Sequence, residues 1–228
     1  MTGGPILACV FDAYGTLFDV HASARHREAE LGPHAGSVSQ MWRTKQLEYS
    51  WLSSIMGRYR DFWQLTGDAL DYALEYHGID SPGLRAGLLD AYLHLDPYPE
   101  VRATLTELNR NGMVCAVLSN GSPMMLDAAV RSAGVSDLLS LVISVDELRR
   151  FKPDPSVYRL AADRLGVDPP SILFLSSNAW DAVGAASFGF EVAWVNRSGQ
   201  PAERLPYQPH HQIPDLASVA HLLRDRNG

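Results

Sequence analysis

One carboxylate in this chain stands where chemistry could be done. The apolar run Ile6-Leu7-Ala8-Cys9-Val10-Phe11 leads directly into Asp12, followed by Ala13-Tyr14-Gly15-Thr16. A short apolar run closed by a turn signal suits a strand buried on both faces, which puts Asp12 at the strand's carboxyl end. There a carboxylate serves as a nucleophile, a metal ligand or a cap for the next helix, and Gly15 lets the backbone turn sharply over it. Other strand-like runs also end on polar groups. Met113–Leu118 ends in Ser119-Asn120, and Ile172–Leu175 in Ser176-Ser177-Asn178, with Asp181 one turn further on. Lys152 arrives from the loop before another helix. Each serine, asparagine or aspartate alone reads as a helix cap. Together with a lysine they read as side chains converging on one crevice, the geometry of an α/β active site.

The elements that must hold these groups alternate after Pro99. Helices are expected at Glu100–Asn109, Pro123–Ala133, Ser156–Leu165 and Ala179–Phe188, with a short terminal helix over Asp215–Arg224. Strands are expected at Met113–Leu118, Leu141–Ser144, Ile172–Leu175 and Val192–Val195. Asn111-Gly112 is a helix-ending pair, and Pro155 suits a first helical turn. Residues 197–214, rich in proline, glycine and polar side chains, read as loop. Alternating strands and helices predict a parallel, doubly wound, Rossmann-like sheet. From His21 to about Leu95 the signals are helical: Ser37–Met56, Tyr59–Leu65, Gly67–His77 and Leu84–Leu93. In the first of these, Val38, Met41, Trp42, Leu47, Trp51, Leu52 and Ile55 form a stripe near the helical period. The expected division is therefore an α/β core of residues 1–20 and 97–228, with residues 21–96 inserted as a helical cap over the strand ends. The aromatic residues between Trp42 and Tyr98 suit packing between cap helices, a pocket lining or a dimer face.

Composition sets outer bounds. The 228 residues are 46% hydrophobic and 20% charged, the profile of an ordinary globular chain. A formal net charge of −7 argues against nucleic acid and anionic membranes as partners. Apolar runs of about six residues fall far short of the roughly 20 that span a bilayer. No basic segment followed by an apolar stretch marks a secretory signal. Cys9 and Cys115 read as small core residues in a reducing compartment, so a cytoplasmic location is expected. His210-His211 reads as solvent-exposed. No nucleophile elbow, P-loop or dinucleotide fingerprint occurs.

Four segments in order, Asp12-x-Tyr14-Gly15-Thr16, Leu118-Ser119-Asn120, Lys152-Pro153-Asp154 and Ser176-Ser177-Asn178-Ala179-Trp180-Asp181, resemble the motifs of the haloacid dehalogenase superfamily. More narrowly, Phe11–Val20, the Trp42–Leu52 segment and Ser176–Asp181 resemble the L-2-haloacid dehalogenases. That resemblance implies an α/β core with a helical cap, no cofactor or metal, a small 2-haloalkanoate as substrate with halide as product, and a homodimer.

Most of the superfamily are magnesium-dependent phosphotransferases, and two positions separate the branches. Where phosphatases carry a second aspartate that protonates the leaving oxygen, this chain has Tyr14. An alkoxide needs such an acid, whereas a halide, a very weak base, leaves without one. Where they bind magnesium with an acidic D-x-x-x-D pair, this chain has Ser177 and Asp181, one carboxylate short. Both departures point to metal-free attack on a carbon–halogen bond, against the alternatives of a magnesium-dependent phosphatase or a carboxylate-binding protein without catalysis. By resemblance Asp12 is the nucleophile, oriented by Thr16. Arg43, Asn120 and Trp180 cradle the halide, while Ser119 and the backbone N–H groups after Asp12 hold the substrate carboxylate. Lys152 balances Asp12 and Asp181. Ser176, Asn178 and Asp181 position or activate water, with Asp181 alternatively only anchoring Lys152. Tyr14 lines the pocket and Tyr158 gives polar support. Leu47, Phe62 and Trp180 form an apolar wall.

Overall fold

The computed structural model describes residues 4–227. Among them β1 (Ala8–Phe11) is followed by five helices, α1 (Ala22–His26), α2 (Glu28–Leu31), α3 (Ala35–Ile55), α4 (Phe62–Tyr76) and α5 (Pro82–Leu93). Alternation then begins: α6 (Val101–Arg110), β2 (Val114–Ser119), α7 (Pro123–Ser132), β3 (Leu141–Ser144), α8 (Pro155–Leu165), β4 (Ile172–Ser176), α9 (Ala179–Phe188), β5 (Glu191–Val195), β6 (His211–Ile213) and α10 (Val219–Asn227). The six strands form one parallel sheet in the order β3-β2-β1-β4-β5-β6, the doubly wound topology expected.

Every residue of β1 is buried, because it pairs with β2 on one side and β4 on the other. Val10 lies level with Ala116 and Phe174, so the apolar runs of three strands share one register. Asp12 follows one residue beyond Phe11, and its N–H donates to Leu175 O at 2.9 Å. The strand order reverses at β1, which places Asp12 at the topological switch point where open α/β sheets form a crevice.

The helices between β1 and α6 pack on one another, chiefly α3 against α4 and α1 against α5. Their chain enters and leaves the sheet layer side by side. Asp19 N–H donates to Asp96 O at 2.9 Å, Tyr98 N–H donates to Leu17 O at 3.0 Å, and Phe18 bridges Pro97. No helix among the described residues is long and apolar enough to cross a membrane.

Several expectations need correction. Tyr59–Leu65 and Gly67–His77 are one helix, α4, which starts at Phe62 because the Asp61 side chain accepts from Gln64 N. Gly67 lies inside it, where glycine weakens a helix without ending it. The stripe on α3 is also different. Leu52 and Ile55 are exposed, and the buried face runs through Val38, Trp42, Gln46, Ser50 and Ser53. Ser50 and Ser53 return their hydroxyls to the carbonyls of Leu47 and Tyr49, so small polar residues face α4 with their hydrogen bonds made. Residues 197–214 are not all loop, since β6 adds the sixth strand. Three residues between prolines carry no periodic signal. His210 is exposed as expected, though its Nδ1 accepts from Val192 N at 3.1 Å, whereas His211 is half-buried and meets Glu191 at 2.7 Å. The terminal helix starts at Val219, after a 3-10 turn over Leu216–Ser218.

Candidate active site

Asp12 is 5% exposed and both its oxygens are occupied. Oδ1 accepts from Lys152 Nζ at 3.0 Å. Oδ2 accepts from Thr16 Oγ1 at 3.0 Å and from Asn178 Nδ2 at 2.8 Å, with Ser176 Oγ further off at 3.5 Å. Thr16 is itself held, its hydroxyl accepting from Ser177 N at 2.8 Å. Gly15 makes this turn with φ +93°, a conformation that side chains with a Cβ rarely adopt.

Lys152 sits wholly inside, at 1% exposure, between Asp12 and Asp181. Its second bond runs to Asp181 Oδ2 at 2.9 Å, and the Phe174 ring lies 4.9 Å below the ammonium. Burial by itself would lower the Lys152 pKa, but the two carboxylates reverse this and leave it above its ordinary value. Asp181, fully buried, is pushed up to about 6 by burial, against the pull of Lys152 and with the Asp12 charge adding to the rise. Tyr158 OH donates to Asp181 Oδ1 at 2.8 Å. Among the described residues no three His, Cys, Asp or Glu side chains group as a metal site.

The helical segment supplies Arg43. Its Nη2 donates to Asn178 Oδ1 at 3.1 Å and to Tyr14 O at 3.2 Å, and its Nη1 donates to Gln46 Oε1 at 2.8 Å. Tyr14 lies buried, stacked on Tyr92 at 5.6 Å and tilted against Phe62 at 6.2 Å. Its hydroxyl is buried without a partner, and burial raises its pKa well above the ordinary value. Beside Lys152 a cleft of about 710 Å³ opens between α3 and the loop before α8, lined by Trp51, Ser54, Phe151 and Trp180 among others. Trp180 meets Trp51 edge-on at 5.2 Å.

The structure thus joins Asp12, Thr16, Lys152, Tyr158, Ser176, Asn178, Asp181 and Arg43 in one hydrogen-bond network. Ser119 is fully buried next to it and accepts from Gly121 N at 3.1 Å. Asn120 holds the Lys152 backbone, its Oδ1 accepting from Lys152 N at 2.9 Å. Arg43 is bonded to Asn178, Tyr14 and Gln46, not to Asn120 or Trp180. Of the backbone N–H groups after Asp12, those of Gly15, Thr16, Leu17 and Phe18 are spent inside the turn, on Phe18 O and Ala13 O. Leu47 is half-buried on α3.

Comparison with known proteins now decides the family. The family model for haloacid dehalogenase-like hydrolases matches residues 6–189. The chain belongs to this family. Haloacid dehalogenase-like relatives match it almost end to end. It is 47% identical to (S)-2-haloacid dehalogenase 1 of Pseudomonas sp. (strain CBS-3), over 96% of this chain and 97% of that one. It is 46% identical to (S)-2-haloacid dehalogenase 4A of Burkholderia cepacia, over 95% and 94%. The solved structure of L-2-haloacid dehalogenase from Xanthobacter autotrophicus with chloropropionic acid covalently bound superposes with a TM-score of 0.90, at 41% identity, covering 96% of this chain and 98% of that one.

Two site neighbours escaped sequence reading. Tyr92 stacks on Tyr14 from α5, far along the chain, with no local signal. Gln46 was within reach, since a polar residue four positions after Trp42 on the same helix face is a buried amide in need of partners.

One glycine in this haloacid dehalogenase-like site permits its closeness. Gly184 lies inside α9, and a Cβ there would meet Tyr158 OH at 2.5 Å and Pro153 Cβ at 2.6 Å. Alanine ordinarily favours a helix interior over glycine by about 1 kcal/mol. Here the contacts overturn that preference, and Gly184→Ala is expected to destabilise by about 1–3 kcal/mol through overpacking. It should also slow catalysis by moving Tyr158 off Asp181. Urea unfolding and steady-state rates check both, and a variant as stable and active as the parent would show that the site has slack.

Proposed function

We propose that this chain hydrolyses short-chain L-2-haloalkanoates to D-2-hydroxyalkanoates, with inversion at C2 and through an ester on Asp12. The observation that carries this reading is a carboxylate held by Lys152, Thr16 and Asn178 with Tyr14 packed where an acid for the leaving group would stand. Asp12 attacks C2 opposite the halogen, forms the C–O bond and expels halide. Water then attacks the Asp12 ester carbonyl, releasing the hydroxy acid and restoring the carboxylate. The covalently bound chloropropionic acid in the Xanthobacter structure supports a covalent route, and the names of the relatives support the S enantiomer.

Ser119 and the backbone N–H groups of Ala13 and Tyr14 hold the substrate carboxylate. Arg43, Asn120 and Trp180 receive the halide, and Leu47, Phe62 and Trp180 wall the reacting carbon. Asn178, Ser176 and Asp181 place the hydrolytic water. The Lys152 ammonium balances Asp12 and Asp181, and with Ser177 in place of a second acidic ligand the donor set is one carboxylate short of a magnesium pair. Phosphate-ester hydrolysis is disfavoured, because the buried Tyr14 hydroxyl, its pKa raised, is a poor acid for an alkoxide.

The test is halide release from each enantiomer of 2-chloropropionate in EDTA, beside p-nitrophenyl phosphate with magnesium. Release from the S form alone, unaffected by EDTA, is expected. Metal-dependent phosphatase activity without halide release would reverse the reading.

A pH profile follows from Asp181. As a base toward water it must be ionised, and its pKa near 6 puts the acid limb of turnover there. Ester hydrolysis should fall about tenfold per pH unit below that point, in proportion to the ionised fraction. The stability term has its own sign. The native group keeps its proton up to about 6, while the unfolded one loses it near 3.8. The folded state therefore binds more protons between these values, and Asp181's contribution to stability declines as pH rises through them. A turnover profile flat from pH 7 to 5 would remove Asp181 as the base.

Residues 21–96 form a cap domain over the crevice, with residues 1–20 and 97–228 as the core. Two copies pair through cap helices α3 and α4, where Leu52, Met56 and Tyr72 line an exposed groove of about 660 Å³. The free, buried Cys9 and Cys115 suit a reducing, cytoplasmic setting.

A further inference from the structure

Arg43 is the cap's cation at the reacting centre, and one buried amide determines how it is held. Gln46 is 1% exposed on α3. Its Oε1 accepts from Arg43 Nη1 at 2.8 Å and from Tyr92 OH at 3.1 Å. Its Nε2 donates to Thr66 Oγ1 at 2.6 Å, and the Thr66 hydroxyl in turn donates to Phe62 O at 2.6 Å. Thr66 Oγ1 has thus spent its own proton and meets Gln46 as an acceptor. This sets the amide orientation, with nitrogen toward Thr66 and oxygen toward Arg43. Three helices, α3, α4 and α5, therefore converge on one carboxamide and leave it no alternative partner.

A guanidinium is rigid and planar, so pinning Nη1 aims Nη2 as well. That second nitrogen reaches Asn178 Oδ1, and Asn178 Nδ2 reaches Asp12 Oδ2. An unbroken chain of hydrogen bonds runs from Thr66 through Gln46, Arg43 and Asn178 to the nucleophile. A free arginine side chain would sample many rotamers and lose entropy on each turnover; this one is ordered before substrate arrives. Nothing in the reaction as derived requires Gln46, which lies one residue behind the reacting groups.

We propose that Gln46 is a positioning residue, which locks the Arg43 guanidinium toward the departing halide and ties cap geometry to the orientation of Asp12. This rests on the reading that Arg43 faces the leaving group. Its effect is greatest where the leaving group most needs stabilisation, so chloride departure depends on it more than bromide departure.

The experiment measures kcat for (S)-2-chloropropionate and (S)-2-bromopropionate with Gln46→Leu, Gln46→Glu, Arg43→Lys and Arg43→Lys/Gln46→Leu. Gln46→Glu is nearly isosteric and keeps the packing should the leucine variant fail to fold; its carboxylate draws the guanidinium charge to itself and lacks the donor for Thr66. Both single Gln46 variants are expected to lose about ten- to a hundredfold in kcat on the chloride substrate. The bromide-to-chloride rate ratio should rise severalfold, in the same sense as for Arg43→Lys. The double variant should show little rise beyond Arg43→Lys alone, because both changes remove one unit. A merely structural defect lowers the active fraction for both substrates equally and leaves the ratio at the parent value. An unchanged ratio in the Gln46 variants alongside a shifted one in Arg43→Lys would overturn the proposal and leave the Arg43 reading intact. An unchanged ratio in Arg43→Lys itself would overturn that reading, and the role of Gln46 with it.

Discussion

Asp12→Asn should abolish halide release, by at least roughly 10⁴-fold, the scale of loss when a covalent nucleophile is removed. The carboxamide matches the carboxylate in shape but is no nucleophile toward an alkyl carbon. The replacement also meets a hydrogen-bond conflict. Asp12 accepts from Lys152 on one oxygen and from Thr16 and Asn178 on the other, and an amide must present its NH₂ to one of these donor sets. Leaving a buried donor unmatched costs about 1–3 kcal/mol, so a moderate loss of stability should accompany the loss of activity. Thermal unfolding separates the two effects, since that cost still leaves most molecules folded at 25 °C. A single turnover in ¹⁸O-water with enzyme in excess adds an independent reading. Hydrolysis at the ester carbonyl delivers an Asp12 oxygen to the first product and the solvent oxygen to the enzyme. Label in the first product, or activity within tenfold of the parent in Asp12→Asn, would mean that water attacks C2 directly.

Lys152→Met should cost more stability than any other single change at the site. Lys152, Asp12 and Asp181 are all buried, and the ammonium is bonded to both carboxylates. Removing one member of a buried ionic group leaves uncompensated charge, with typical costs of about 3–5 kcal/mol. Here two carboxylates would be left facing each other, and the system's escape is to protonate Asp181, whose pKa already lies high in the parent. The penalty should therefore be large at pH 7.5 and smaller at pH 5.5, whereas a simple packing defect costs the same at both. Urea unfolding at the two pH values measures this. Equal stability loss at both would show that the methionine acts through volume alone. Activity should vanish at either pH, because a protonated Asp181 no longer serves the hydrolytic water.

The strand ends were the most legible part of this protein. Asp12, Ser119, Ser176 and Asn178 each follow an apolar run, and a parallel sheet has no choice but to bring the carboxyl ends of adjacent strands together. Lys152 was legible only as a motif, since nothing in a run of Arg149, Arg150 and Lys152 distinguishes the one that is buried. Its burial comes from Asp12 and Asp181, contributed by other segments. The face of α3 was misread because period analysis follows apolar residues, while the buried stripe there carries Gln46, Ser50 and Ser53. β6 was missed for a different reason: its three residues are a strand by virtue of β5 alongside, not by their own preference.

The two chain crossings between the sheet layer and the helical excursion lie bonded to each other, Asp19 to Asp96 and Leu17 to Tyr98. Thermodynamically the excursion is thus a loop whose mouth is already closed by backbone hydrogen bonds. Lengthening or shortening such a loop changes the closure entropy only with the logarithm of its length. Pieces of very different size could be spliced between these positions without re-registering β1 against its neighbours. The same sheet and the same Asp12 could thereby be presented with a different roof, and with it a different choice of molecules.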